Sequence, residues 1–218
     1  MVASPFPAFV GFAVLTRDTL GPFTLAPEEQ ALLGPRCVAK RREEFTLGRA
    51  ACRAALRQVG FADPPPVLKG QHNEPLWPEG YVGAITHSAH LALCAVCPTT
   101  RAAGIGIDLE EMTGDIPAEA FHLVGTGAEL TWIGDDPQRF RRLFSAKEAA
   151  FKAFSPHAHG YLDFQDAELG WDEARNAFHG RLRRAVGSAF PAGYAFEVGC
   201  RIEGDLIFCY TFISAARP

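Results

Sequence analysis

The chain has 218 residues, of which 48% are hydrophobic and 21% charged, enough apolar content for a sizeable core in one domain or two small ones. Its 21 basic residues against 25 acidic ones give a formal net charge of -4, so no global charge points to a nucleic-acid or membrane-surface partner. Any basic site must be local.

The first predicted element is a strand over Ala8 to Leu15, preceded by no basic leader and, broken by Gly11, far too short to span a bilayer. A helix follows over about Pro35 to Val59. It carries seven basic residues (Arg36, Lys40, Arg41, Arg42, Arg49, Arg53, Arg57) against Glu43 and Glu44. Phe45, Gly48, Cys52, Ala55, Leu56 and Val59 form its buried stripe, with Arg41 and Arg49 two turns apart on its flank. Such a run is either a solvated basic face or a pair of guanidiniums suited to a terminal phosphate.

After a Pro-rich connector come strands around Gly83 to Thr86 and Leu91 to Val96. His87 lies between them in "GAITHSAH", in a predicted turn where a ring nitrogen can reach a ligand. His87 and His90 have His-x-x-His spacing but no further ligand at a recognisable interval. His72, His122, His157, His159 and His179 read as surface or turn residues. The six cysteines (Cys37, Cys52, Cys94, Cys97, Cys200, Cys209) sit in apolar contexts, as reduced core thiols do, and the cytoplasm is the expected compartment. Cys94 and Cys97 are three apart on a strand, so they point to opposite faces, which argues against a joint metal or redox role.

The next strand, "GIGIDLE", ends in Asp108 and Glu110, which share a face and repel each other unless a cation or hydrogen-bond donors lie between them. Either they point into solvent with Glu111, or they hold a hard divalent ion. Helical segments near Ala118 to Leu123 and Phe140 to Phe154 follow. In the latter, "LFSAKEAAFKAF" lays Leu143, Phe144, Phe151 and Phe154 along an apolar stripe, with Lys147, Glu148 and Lys152 expected on another side. Glu148 and Lys152 are i and i+4, so they form either a surface ion pair or a third carboxylate flanked by ammonium groups. Strands near Phe164 to Leu169, Ala177 to Leu182, Tyr194 to Arg201 and Leu206 to Phe212 close the chain. The pattern is α+β in two halves of similar plan, 1–107 and 108–218.

Four segments in order, "RREEFTLGR", "ITH", "GIDLE" and "FSAKEAAFK", together with "KGQHNEPLWPEGYVGAITH", resemble the 4′-phosphopantetheinyl transferases, in the monomeric two-halved group serving siderophore, polyketide and fatty-acid carrier proteins. The resemblance covers about Arg41 to Phe154. It implies two similar α/β halves related by pseudo-twofold symmetry, with the active site at their junction. It further implies Mg²⁺-dependent transfer of phosphopantetheine from coenzyme A to a serine of an acyl or peptidyl carrier protein, releasing adenosine 3′,5′-bisphosphate. Asp108, Glu110 and Glu148 match the family's metal ligands. Glu148 also matches the group that accepts the serine proton, and Lys152 and Lys147 those that stabilise the pyrophosphate and the leaving phosphate. Arg41 and Arg49 match the grip on the 3′-phosphate, with Lys69, Thr86 and His87 as further phosphate contacts. Ala84 stands where a serine is frequent before "ITH", and "KGQHNEP" replaces a more basic linker. A coenzyme A-binding module without transfer would keep the arginines and His87 but would not need Glu148 and Lys152. A Mg²⁺-dependent phosphohydrolase would not need the paired arginines.

Overall fold

The computed structural model describes residues 2–215 apart from 89, 159 and 161; His159 therefore lies outside the described residues. The chain forms two compact units, Met1–Ile105 with Ser214–Pro218, and Gly106–Ile213.

In the first unit, β1 (Gly11–Thr16), a short helix α1 (Pro27–Ala31) and the long helix α2 (Ala39–Gln58) are followed by β2 (Leu68–Lys69), β3 (Pro75–Leu76), β4 (Tyr81–His87) and β5 (Leu91–Pro98). The antiparallel sheet runs β1-β5-β4, with Cys94 of β5 facing Ala13 on one side and Ile85 on the other. The Pro-rich stretch between α2 and β4, residues 59–80, does not interrupt it because β2 and β3 form their own small hairpin. Helix α2 packs on the sheet through small residues: Ala51, Cys52, Ala55 and Leu56 are buried with Ala13, Ala92, Cys94 and Val96. Complete burial of a side chain such as Leu56 contributes about 1.5–3 kcal/mol. The approach is close enough that Gly11 is obligatory, since a Cβ there would collide with the carbonyl oxygen of Ala55.

The strand β6 (Ala102–Glu111) crosses from the first unit into the second. It precedes α3 (Ala118–Val124), α4 (Gly127–Ile133), the long α5 (Pro137–Phe154), and β7 (Ala167–Asp172), β8 (Ala177–Leu182), β9 (Ala195–Glu203) and β10 (Leu206–Ser214). The five strands run β6-β10-β9-β8-β7. Helix α5 starts where Asp136 accepts the backbone N–H of Gln138 (2.8 Å) and Arg139 (3.3 Å), a cap worth about 1 kcal/mol, with Pro137 in the first turn. It ends in an aromatic nest where the fully buried Phe154 ring meets Phe190, Tyr194 and Phe196 edge-on.

The fold is α+β, as the strand and helix pattern predicts. The differences are local. The first strand starts at Gly11, not Ala8, and residues 164–166 form a 3₁₀ turn capped by Asp163, so β7 begins at Ala167. Helices α1 and α4 have no sequence counterpart above; each is a few residues long and held by a buried glutamate, not by an apolar stripe. All six cysteines are free thiols, and Cys94 faces Cys52 of α2 while Cys97 donates to the Pro98 carbonyl. No helix among the described residues is long and apolar enough to cross a membrane.

Candidate active site

In the second unit, β6 and α5 bring the acidic residues together. On β6, Asp108 (5% exposed) and Glu110 alternate with the buried Leu109, so both acids share a face while the leucine enters the core. Helix α5 supplies Glu148 and Lys152. The Lys152 ammonium sits 2.6 Å from Asp108 Oδ1 and donates to the Ile107 carbonyl at 3.3 Å. This replaces the surface Glu148–Lys152 pair: the lysine reaches across to the strand instead of along its own helix.

The carboxylates feel one another strongly. Glu110 is pushed up to about 7 by burial first and by Asp108 next, with Glu148 adding, while Arg141 and Lys152 pull the other way. Glu148 is also raised, by burial and by Asp108, against the pull of Lys152. Arg141, which no sequence motif above includes, belongs to the same site through its pull on Glu110. It lies on α5 two turns before Glu148, hence on the same face, is nearly buried, and donates from Nη2 to the Gly114 carbonyl. That i, i+7 spacing from Glu148 was its available signal.

Among the described residues, no three His, Cys, Asp or Glu side chains form a ready-made metal centre, so His87 and His90 are not part of one. The acids nonetheless fit Mg²⁺ chemically. They are hard oxygen donors, Glu110 and Glu148 raised by burial and then by Asp108, and Mg²⁺ takes one or two carboxylates and completes its shell with water and phosphate oxygens.

Contrary to the expectation from the sequence, Lys147 does not share the face of Glu148 and Lys152: its side chain is fully buried, and its ammonium donates to the Val124 carbonyl (2.8 Å), Glu129 Oε2 (2.8 Å) and the Phe164 carbonyl (2.7 Å). All three protons are thereby used, leaving none for a phosphate. The reason is legible afterwards, because Lys147 is four residues from both Leu143 and Phe151 and so falls on the apolar stripe itself.

In the first unit, the predicted phosphate contacts gather around Phe45. The Arg49 guanidinium lies over the Phe45 ring, 4.3 Å from its centroid, and Lys69 Nζ approaches the same ring at 5.4 Å. Arg41 Nη1 is 3.4 Å from His87 Nε2. Burial, then Arg41 and Arg49, hold the Lys69 ammonium below its usual range, so three cations are close enough to oppose one another. Arg49 is only 5% exposed and its buried Nε has no hydrogen-bond acceptor among the described residues, an orphan donor that suits an anion. Arg49 thus belongs to the buried face of α2, not to its flank. Nearby, Glu44 lies 3.9 Å from Arg41. Thr86 is buried on β4, and His87 is the last residue of that strand, not part of the turn.

Comparison with known proteins assigns the chain to a family. Residues 28–97 match the 4′-phosphopantetheinyl transferase N-terminal domain, and residues 104–196 match the 4′-phosphopantetheinyl transferase superfamily. The chain is 39% identical to 4′-phosphopantetheinyl transferase Svp of Streptomyces mobaraensis over 164 residues, which are 72% of this chain and 65% of that protein. It is 37% identical to 4′-phosphopantetheinyl transferase PptT of Mycobacterium tuberculosis over 196 residues, 84% of this chain and 82% of the relative. With enterobactin synthase component D of Escherichia coli it shares 34% identity over 64% of this chain and 67% of the relative. The chain belongs to the 4′-phosphopantetheinyl transferase family of enzymes.

Proposed function

We propose that this chain transfers 4′-phosphopantetheine from coenzyme A to a serine of an acyl or peptidyl carrier protein and releases adenosine 3′,5′-bisphosphate. The observation that carries the reading is the placement of Asp108 and Glu110 on one face of β6 with Glu148 and Lys152 on α5, the Lys152 ammonium lying 2.6 Å from Asp108 Oδ1, an acid set suited to a divalent ion. Asp108, Glu110 and Glu148 would hold Mg²⁺, and the bound ion supplies neutralisation of the charge that develops at the phosphoryl group.

The chain's own side chains do the rest. The serine oxygen forms a bond to the phosphorus on the pantetheine side of the pyrophosphate, and the P–O bond to the nucleotide side breaks, its electron pair leaving with adenosine 3′,5′-bisphosphate. Glu148, whose carboxyl is raised by burial against the pull of Lys152, accepts the serine proton directly or through water and passes it to solvent. Two of the three Lys152 N–H donors are used by Asp108 and Ile107, and the remaining one is suited to a phosphate oxygen of the leaving group. Arg41, Arg49, Lys69 and His87, with Thr86, read the 3′-phosphate and its neighbours. The enzyme works as a monomer in the cytoplasm, a reducing compartment that suits its six free thiols.

The deciding experiment mixes the protein, Mg²⁺, coenzyme A and an apo carrier protein and weighs the carrier. Gain of one phosphopantetheine supports the transferase. Unchanged carrier with coenzyme A consumed assigns a phosphohydrolase, and unchanged carrier with coenzyme A bound but intact assigns a binding module.

A further inference from the structure

Each unit builds the same buried clamp beneath its long helix. In the first, Glu29 of α1 accepts the Ala26 backbone N–H (3.0 Å) and Arg53 Nη2 from α2 (3.3 Å) on Oε2, and the Val67 backbone N–H (3.2 Å) on Oε1. In the second, Glu129 of α4 accepts the Thr126 backbone N–H (2.7 Å) and Lys147 Nζ from α5 (2.8 Å) on Oε2, and the Leu169 backbone N–H (2.7 Å) on Oε1. The two glutamates are 2% and 1% exposed. The three donors fall on the same two oxygens in both arrangements; the second adds the Thr126 hydroxyl on Oε2 (2.9 Å), and Arg53 is 23% exposed where Lys147 is fully buried.

The correspondence of Arg53 with Lys147 has independent support. A Cβ on Gly11 would strike the Ala55 carbonyl and approach Val59, and a Cβ on Gly106 would strike the Ala149 carbonyl and approach the Ala153 backbone nitrogen. Gln58 Oε1 accepts the Phe12 N–H at 2.8 Å, and Lys152 Nζ donates to the Ile107 carbonyl at 3.3 Å. One constant register therefore carries Arg53, Ala55, Gln58 and Val59 of the first unit onto Lys147, Ala149, Lys152 and Ala153 of the second. The same helix register, an offset of 94 residues, sets Ala54 against Glu148, while the strands, with Gly11 matched to Gly106 at an offset of 95, set Ala13 and Leu15 against Asp108 and Glu110. The first unit keeps the clamp and lacks every acid of the candidate site, so the clamp's cation is not there to serve that site's phosphate.

We propose that Lys147 is a positioning residue: its pair with Glu129 fixes the rotation and axial register of α5 so that Glu148 and Lys152 face β6, and Glu29–Arg53 does the same for Arg41 and Arg49 on α2. The Lys147 ammonium ties α5 to the end of α3, to α4 and to the turn before β7, while Glu129 adds the backbone of Leu169. A buried pair with all its donors and acceptors matched fixes geometry more than it adds net stability. Glu148 is the next residue along, one helical step of roughly 100° away, so a small rotation of α5 turns its carboxylate off the strand. The inference rests on Glu148 and Lys152 being the transfer groups and on Arg41 and Arg49 reading the 3′-phosphate.

The test uses two neutralised pairs in the full chain, Glu129→Gln with Lys147→Met and Glu29→Gln with Arg53→Met. Neutralising both partners avoids the lone buried charge that destabilises a single variant. Carrier loading is measured with coenzyme A and with its 3′-dephospho form. The second-unit pair should lower kcat about tenfold or more while KM for coenzyme A and the preference for the 3′-phosphate stay within about twofold. The first-unit pair should shrink that preference about fivefold or more and leave saturated kcat within about twofold. Lys147→Arg, which keeps the charge, should recover most of kcat. A rise in KM for coenzyme A with kcat intact in the second-unit pair would instead make Lys147 a phosphate contact. Equal loss of both parameters in both pairs would reduce the clamps to general stabilisers. Either result overturns the proposal. If the wild type loads no carrier, the functional reading fails, and the clamp is judged by thermal unfolding of the Glu129 and Lys147 variants: single losses that simply add in the pair overturn it as well.

Discussion

The ammonium of Lys152 and the carboxylate of Asp108 stand 2.6 Å apart, joining α5 to β6 at the point where the two acids leave the core. Lys152 also pulls both Glu110 and Glu148 downward, so it is the counterion of the whole set. Lys152→Met should therefore let the Glu148 carboxyl rise further. A base with a higher pKa reaches its ionised form only at higher pH, so the acid limb of the kcat/KM profile of the residual activity should move to higher pH. A limb that stays in place, with only the plateau lowered, would confine Lys152 to a direct phosphate contact.

Asp108→Ala should lose carrier loading altogether and remain folded. It removes the Lys152 pair but also relieves Glu110 and Glu148, both of which Asp108 raises, and these effects oppose each other. Thermal unfolding should stay within a few degrees of the wild type, about the shift of 1 kcal/mol in a chain this size. Wild-type protein assayed in excess chelator should be inactive; turnover there would remove the divalent ion from the reading.

Glu110 sets a pH dependence of stability in the metal-free protein. Its carboxyl is raised from 4.5 to about 7 in the fold, so the folded state holds the proton more tightly than the unfolded chain. The resulting stability is fully present below about 4.5 and is lost as pH rises through about 7. Glu110→Gln carries no charge at any pH, so its melting temperature should exceed that of the wild type by more at pH 8 than at pH 5 when both are measured in chelator. Equal gains at the two pH values would mean that Glu110 is not crowded.

The long elements and the β6 acids were legible in the sequence because apolar periodicity and i, i+2 spacing act locally. What escaped depends on partners far along the chain. Glu129 looks like an ordinary exposed acid in "GAELTW", yet it is buried because Lys147, Leu169 and Thr126 all satisfy it. Glu29 is hidden in the same way by Arg53 and Val67. Lys147 differs from its expected place for a complementary reason: a charged residue on an apolar stripe reads as exposed until its buried counterion, Glu129, is known. Arg49, likewise, was set on a flank because a sequence gives no sign that Phe45 will lie beneath it.

Arg41 offers a cleaner test of the 3′-phosphate grip than Arg49, whose guanidinium also packs on Phe45. Its side chain is 46% exposed, so Arg41→Ala should leave the melting temperature unchanged. Loss of one charge-assisted contact, about 1.5–3 kcal/mol, should cut the preference for coenzyme A over its 3′-dephospho form roughly tenfold to a hundredfold. An unaltered donor ratio would return Arg41 to a plain surface charge.

Glu148→Gln separates the two parts assigned to that residue. Glutamine keeps the size and one carbonyl oxygen, so a divalent ion and coenzyme A should still bind, more weakly, because Asp108, Glu110 and the pyrophosphate still offer anionic oxygens. Proton acceptance is lost, since an amide is not a base near neutral pH. Burial, with Asp108 adding and Lys152 opposing, makes the Glu148 carboxylate a stronger proton acceptor than an exposed glutamate. If Glu148 is base as well as ligand, kcat at saturating coenzyme A should fall about 10²-fold or more, and added Mg²⁺ should not restore it. If it is a ligand alone, saturating Mg²⁺ should bring most of the rate back. Carrier modification measured against Mg²⁺ concentration for both proteins distinguishes these, and recovery to near wild-type kcat would remove the base assignment while leaving the acid set as a metal site.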